Sequence, residues 1–343
     1  MENRKPKNND NYISLISAIK SGDTEKLYIF YGEERYLLER SLISLRELLC
    51  PGGLDGFNYK RFNEKYLPYE VFEDAVDTMP AFADKTLIEI HDFDIFKSSF
   101  KERFSELFAD LPDYVCIVFV YNTVEYKPDN RLKVNKDILK HASVVEFAVQ
   151  EQDKLVKWIK RHFTDAGKKI STGDAEYLAF ITGGLMATLN GEIEKVAAYS
   201  KQETVTRKDI DTVVTPVLDA VSYKLTDALV SKNNIRALEI LNELFQMREA
   251  PHKIMSVISS KMRQLLAARV CIENNNGKND LMNICNLRHE FQARNLMQTA
   301  GKTTLSDCRN AVLHCSETAL ELNSTGEPES RMIELVTRLA LGK

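Results

Sequence analysis

The stretch Leu27-Tyr-Ile-Phe-Tyr-Gly-Glu-Glu-Arg-Tyr-Leu-Leu38 decides the fold class of this chain. Its first five residues form the apolar run of a buried strand, and Gly32 ends that run. From Tyr36 to Leu49 the leucines recur with helical spacing. A buried strand that turns at a glycine into a helix predicts the opening unit of an α/β domain.

The residues around this unit alternate in the same way. Further strand patterns cover residues 57–62, 85–91, 114–121 and 144–147, and a short helix covers residues 69–77 before Pro80 stops it. Strands separated by helix-length segments indicate βαβ units. We therefore predict an α/β domain with a mostly parallel sheet over residues 1–149.

After residue 150 the strand patterns stop and helical patterns take over. Ser171 with Asp174, and Thr206 with Asp209, have the spacing of capping boxes at helix starts. Pro216 then marks a break. The sequence predicts two all-α domains, a small one over residues 150–215 and a larger one over residues 216–343.

Composition excludes several classes of protein. The chain has 343 residues and a net charge of −4, so as a whole it is no polyanion binder. Its first twelve residues are polar and contain no signal-peptide core. The apolar run Val115–Tyr121 is too short to span a bilayer. Six cysteines form no C-x-x-C pair, which favours free thiols in a reducing cytoplasm. We expect a cytoplasmic protein with no membrane partner.

The turn at Gly32 lacks the residues that hold phosphate. A phosphate-binding loop needs a second glycine followed by Lys and Ser or Thr, and this turn has neither. Glu33 and Glu34 stand where phosphate would approach, and they would repel it. The simpler interpretation of Gly32, Glu33, Glu34 and Arg35 is an ordinary strand-to-helix turn, since acids are favoured at a helix N-terminus. We predict that this degenerate loop binds no phosphate and hydrolyses no ATP.

No other set of residues indicates catalysis. His91, Asp92 and Asp94 end a strand in the manner of a metal-binding acidic motif, but without a phosphate-binding loop the signal is weak, and a solvated strand end is the favoured interpretation. Asn122, after the next strand, could sense a γ-phosphate, but the simpler interpretation is that it begins a turn. The chain has no G-x-S-x-G or H-E-x-x-H motif, and its six histidines are scattered. We predict no catalytic residue, no metal site and no cofactor.

Several segments together resemble a known family. One is the opening stretch 27–38, and another is Thr78-Met-Pro-Ala-Phe-Ala-Asp-Lys-Thr-Leu-Ile88, a helix end running into a strand. The others cover residues 189–199, 225–229, 237–241 and 329–341. In order and spacing they resemble the delta subunits of the bacterial DNA polymerase III clamp loader, over nearly the whole chain.

The resemblance implies a fold and a role. The fold is an AAA+-like N-terminal domain with a degenerate P-loop NTPase fold, a lid-like helical domain and a helical collar that mediates oligomerisation. The role is that of a non-ATPase subunit that binds the sliding clamp, the beta subunit, and holds its ring open for loading onto primed DNA. The partners are delta prime and the tau or gamma subunits in a heteropentamer. No intrinsic catalysis is expected, although the chain would belong to the DNA polymerase III holoenzyme, a DNA-directed DNA polymerase and nucleotidyltransferase.

The subunits next to delta in the ring carry a four-cysteine zinc module and a Ser-Arg-Cys motif, and this sequence has neither. The resemblance is therefore to delta and not to its neighbouring subunits.

The resemblance places the clamp-contacting element of delta on Met79, Pro80, Ala81 and Phe82, which we call the tip. Phe82 matches the family's aromatic anchor, whereas Ala81 stands where a bulky aliphatic residue is expected. The contact would then shift towards Met79 and Pro80. The alternative is that Phe82 packs into its own domain.

Two other functions stay open at this point. One is an active AAA+ ATPase subunit, against which the turn at Gly32 argues. The other is a helical nucleic-acid-binding adaptor, because Lys154, Lys157 and Arg161 share one helix face that could touch phosphates. A solvated face would carry the same charges.

Overall fold

The computed structural model describes residues 10–51, 55–63, 66–81, 83–287, 290–323 and 327–341. The chain forms two compact units, Met1–Val149 and Gln150–Lys343. The further division of the second unit at residue 215 stays a prediction.

A five-stranded sheet forms the centre of the first unit. Its strands are β1 (Leu27–Tyr31), β2 (Tyr59–Phe62), β3 (Thr86–His91), β4 (Val115–Tyr121) and β5 (Ser143–Glu146). They lie in the order β2-β3-β4-β1-β5, and all neighbours run parallel. The predicted α/β fold with a parallel sheet is therefore confirmed.

Helices surround this sheet. They are α1 (Asp10–Ser21), α2 (Arg35–Leu49), α3 (Asp55–Asn58), α4 (Tyr69–Asp77), α5 (Lys101–Ala109) and α6 (Lys133–His141). The sequence predicted α2 and α4. It was wrong about residues 57 and 58, which end α3 instead of beginning the second strand.

Alternate residues of each strand enter different hydrophobic cores, because successive side chains point to opposite faces. Ile29 of β1 and Phe119 of β4 join Phe72 of α4 and Phe104 of α5 on one face. The other face is formed by Tyr28, Phe30, Val118, Leu38 and Leu42. All seven residues of β4 are buried, as expected for a central parallel strand covered on both sides.

The second unit is almost entirely helical. Its helices are α7 (Gln152–Asp165), α8 (Thr172–Ile181), α9 (Met186–Tyr199), α10 (Arg207–Val213), α11 (Leu218–Val230), α12 (Asn234–Gln246), α13 (Pro251–Glu273), α14 (Lys278–Cys285), α15 (Glu290–Ala300), α16 (Leu305–Glu321) and α17 (Pro328–Leu341). Two short strands, β6 (Lys169–Ile170) and β7 (Thr204–Val205), also pair in parallel. The expectation that strands stop after residue 150 was wrong at this ladder, whose two-residue strands are too short to leave a periodic pattern.

Local helix-start signals were correct. Ser171 Oγ accepts a hydrogen bond from Asp174 N at the start of α8. Thr206 and Asp209 form a complete capping box at the start of α10. Each such cap satisfies backbone amides that the first helical turn would leave unpaired.

Helices α11, α12, α13, α16 and α17 share one hydrophobic core, to which α13 contributes Ile254, Ile258 and Met262. All six cysteines carry free thiols, and five of them are buried. In the part of the chain that the structure describes, no helix is both long enough and apolar enough to cross a bilayer.

Candidate functional site

The carboxyl ends of β1, β3 and β4 lie side by side, the edge at which α/β sheets bind ligands. Gly32 follows β1 there with a backbone φ of +131°. A Cβ atom at this position would lie 2.3 Å from the carbonyl oxygen of Phe147. Only glycine fits here, because Phe147, the residue after β5, comes so close. The glycine is therefore explained without a bound phosphate.

Arg35 occupies the end of β4. Its Nη1 atom donates to the carbonyl oxygen of Tyr121 at 2.9 Å and to Asn122 Oδ1 at 2.7 Å, and Nη2 donates to the carbonyl oxygen of Asn122. The guanidinium group is therefore bound within the chain. Glu33 is exposed and Glu34 is buried at the start of α2, and Glu34 N donates to Phe147 O at 2.9 Å. The four residues of the degenerate loop thus build a turn with internal partners.

Asp92 anchors the loop after β4. Its Oδ1 atom accepts backbone hydrogen bonds from Asn122 at 2.8 Å, Thr123 at 2.6 Å and Val124 at 3.3 Å. Partial burial opposes ionisation, but these amides outweigh it and hold the pKa of Asp92 below its ordinary value. Asp92 is partly exposed at the end of β3, and its Oδ1 atom is bound to the backbone of the neighbouring loop. Asn122 begins the turn, in line with the simpler of its two interpretations.

A buried polar cluster lies beside this edge. Glu89 of β3 has no exposed surface. Its carboxylate accepts from Arg46 Nε at 2.7 Å, Arg46 Nη2 at 2.6 Å and Tyr59 Oη at 3.1 Å, and it lies 3.1 Å from His91 Nε2. The bidentate pair is a strong geometry for a buried charge. The cluster links α2, β2 and β3.

Aromatic rings fill the space beyond β1. Tyr126, in the loop after β4, stacks on Tyr31 with ring centroids 4.2 Å apart and meets Tyr121 edge-on at 5.3 Å. Tyr31 Oη also donates to Glu146 at 3.2 Å. Together with Arg35, these side chains lie at the carboxyl ends of β1 and β4.

The tip follows the end of α4. Thr78 Oγ1 donates to the carbonyl oxygen of Asp74 at 2.6 Å, which closes the last turn of the helix. Met79 then projects with 75% of its surface exposed, and Pro80 and Ala81 are half-buried. Phe82, the predicted aromatic anchor, lies outside the described residues.

The backbone of the tip is held by Asn58. The Asn58 side chain is fully buried. Its Nδ2 donates to the carbonyl oxygen of Ala81 at 2.6 Å, and its Oδ1 accepts from Ala81 N at 2.7 Å. We call this pair of bonds the Asn58 clip. A buried amide that satisfies both backbone groups of one residue fixes the path of the tip.

The helix before the tip is also well supported. Phe72, Ala75 and Val76 bury one face of α4 in the core. On the outside, the Arg103 guanidinium lies 3.7 Å from the centre of the Tyr69 ring and donates to Glu70 at 2.9 Å. Met79 and Pro80 therefore follow directly on a well-packed helix.

The predicted basic face of α7 is compensated at two of its three positions. Lys154, Lys157 and Arg161 are all exposed. Lys154 lies 3.5 Å from Glu151, and Arg161 lies 3.9 Å from Asp165. This arrangement favours a solvated face over a phosphate-binding one.

Sequence reasoning missed Glu89, Asn58 and Tyr126. Glu89 did leave a signal, because one acidic residue in the middle of an apolar strand requires a buried partner. Asn58 and Tyr126 left none, since Ala81 and Tyr31, with which they interact, are distant in sequence.

Comparison with known proteins agrees with this architecture. The family model for the delta subunit of DNA polymerase III matches residues 28–148, and the model for the delta subunit's C-terminal domain matches residues 219–338. The DNA polymerase III subunit delta of Bacillus subtilis (strain 168) is 23% identical over 326 residues, which cover 93% of both chains. The probable DNA polymerase III subunit delta of Aquifex aeolicus (strain VF5) is 23% identical over 300 residues, which cover 84% of this chain and 83% of the relative.

A solved structure shares the fold. The DNA clamp loader delta protein of Bacillus subtilis superposes with a TM-score of 0.55 at 20% identity, over 96% of this chain and 99% of the other. Both family models belong to one subunit, and they match this chain in the family's own order. The chain belongs to the family of DNA polymerase III delta subunits, the delta subunits of the clamp loader that serves DNA replication.

Proposed function

We propose that this delta subunit binds the sliding clamp through the tip and holds the clamp ring open for loading onto primed DNA. The main support for this proposal is the exposure of Met79, whose surface is 75% exposed to solvent. The Asn58 clip holds the backbone two residues further on, at Ala81. An apolar side chain on a rigid support suits a hot spot, which fills a pocket on a partner.

The carboxyl edge of the sheet, which side chains of the chain itself occupy, supports a passive role for this subunit in opening the clamp. Arg35 and Tyr126 occupy the edge with partners from the chain itself. Energy for ring opening would then come from ATP bound to neighbouring subunits, namely the tau or gamma subunits, with delta prime completing the heteropentamer. The helices from α11 to α17 would form the collar that holds this subunit in the ring.

The tip residues should dominate affinity for the clamp. We expect Phe82→Ala to weaken binding by about 2 kcal/mol, roughly thirtyfold, because an aromatic anchor carries much of a small interface. Met79→Ala should weaken binding by about 1 kcal/mol, because truncating a methionine removes less apolar area from the interface than truncating a phenylalanine. Calorimetric titration of the full chain with the purified clamp measures both.

Ile13→Ala is a matched control, because Ile13 is 55% exposed on α1 in the same unit. It should leave clamp affinity unchanged. If Phe82→Ala and Met79→Ala both bind as the parent does, the tip assignment is wrong. If the parent itself shows no affinity for the clamp, clamp binding by this subunit is contradicted.

Nucleotide chemistry should be missing from the isolated chain. Phosphate would have to displace Arg35 from Tyr121 and Asn122 and would meet no lysine in the turn. We expect no ATP hydrolysis above background and no nucleotide-dependent rise in melting temperature. Stoichiometric ATP binding, abolished by Arg35→Ala, would restore the active ATPase as the better hypothesis.

A further inference from the structure

Exposed apolar side chains of the first unit are concentrated in the stretch of chain that ends at Met79. In the described part of the first unit, seven large apolar side chains are exposed: Ile13, Ile43, Phe57, Tyr66, Val71, Met79 and Leu132. Four of the seven fall between residues 57 and 79. Single exposed apolar residues need no explanation, so a member of this group belongs to a contact surface only where the structure ties it to Met79.

Phe57 is the member of this group that the structure ties to the tip. It precedes Asn58, whose side chain holds both backbone groups of Ala81. Phe57 keeps 64% of its surface exposed at the end of α3, while Asn58 beside it is fully buried. The chain therefore turns Phe57 outward at the place where it attaches the tip.

The spacing allows one partner to cover both side chains. Successive Cα atoms are about 3.8 Å apart, so the Asn58 clip keeps the backbones of Phe57 and Met79 within roughly 20 Å. One side of a standard protein interface covers about 800 Å², or roughly 30 Å across. Phe57 and Met79 fit inside a single footprint of that size.

We propose that Phe57 is a second anchor of the clamp-binding surface, with the Asn58 clip fixing its position relative to Met79. This inference rests on the proposed binding of the clamp by the tip. The partner would offer a second apolar site beside the one that receives the tip.

The test is a titration of the full chain with the purified sliding clamp at one fixed salt concentration. We expect Phe57→Ala to weaken binding by about fivefold or more, the usual threshold for an interface residue that matters. Phe57→Leu should stay within about threefold of the parent, because it keeps most of the apolar volume. Ile13→Ala again serves as the control, and unchanged melting temperatures show that the exposed substitutions leave the fold intact.

The outcomes separate this inference from the function on which it rests. If Met79→Ala weakens binding and Phe57→Ala does not, the second anchor is wrong and the tip stands. If Phe57→Ala and Phe57→Leu weaken binding equally, packing of an apolar anchor is not the cause and the inference fails. A parent chain without clamp affinity overturns both proposals.

Discussion

Replacing Glu89 with alanine should lower the free energy of unfolding by about 3 to 5 kcal/mol, the cost of breaking a buried ion pair. The carboxylate is fully buried and receives two hydrogen bonds from Arg46 and one from Tyr59. Its loss would leave those donors without an acceptor and open a cavity between α2 and β3. No change of similar size is expected from any exposed ion pair.

Urea unfolding of the parent and of Glu89→Ala measures the difference. Glu239→Ala is the matched control, because Glu239 pairs with Arg236 at 2.8 Å while both side chains are about half exposed. That substitution should cost less than about 1 kcal/mol. Equal losses from the two variants would show that the Glu89 cluster is no more important than a surface pair.

The contribution of Glu89 should depend on pH. Burial disfavours the carboxylate, but hydrogen bonds from His91, Arg46 and Tyr59 outweigh burial and hold the pKa of Glu89 below its ordinary value. Because its pKa is lowered in the folded chain, Glu89 contributes its full stabilisation at pH values above its pKa in the unfolded chain, about 4.3. This stabilisation is lost as the pH falls through the pKa of the folded chain. As the pH falls from about 4.3 through the folded pKa of Glu89, the melting temperature of the parent should fall more steeply than that of Glu89→Gln. Parallel curves would contradict this assignment.

Gly32→Ala should cost about 3 kcal/mol of stability, from backbone strain and overpacking together. The added methyl group would lie 2.3 Å from the carbonyl oxygen of Phe147 and 2.7 Å from its nitrogen. Phe147 cannot move away freely, because its N donates to Tyr31 O at 2.7 Å and its O accepts from Glu34 N at 2.9 Å. The substitution would therefore separate the ends of β1 and β5.

Gly22 provides the control for the backbone term. It also has a positive φ, +79°, but a Cβ there would meet nothing within 4 Å. Gly22→Ala should therefore cost only the left-handed strain, about 1 kcal/mol. If thermal or urea unfolding gives the same loss for both glycines, the close approach of Phe147 does not explain Gly32.

The sequence predicted the strands of the main sheet and the helices α2 and α4 because each has a strong local pattern. The apolar runs of β1 and β4 and the leucine spacing of α2 need no information from elsewhere in the chain. Helix α3 was missed because four residues are too few to show a period. The strands β6 and β7 were missed because they are held by pairing with each other.

The candidate site was likewise predictable only where its features follow from local sequence. By itself the sequence determined that the turn at Gly32 lacks phosphate-binding residues and that a helix ends just before Met79, since both follow from residue type and local spacing. Only the tertiary structure decided that Arg35 and Tyr126 lie at the carboxyl edge of the sheet, that Arg46 and Tyr59 both bind Glu89, and that Asn58 binds the backbone of Ala81. These contacts join residues far apart in the chain, and their geometry is set by how the strands and helices pack.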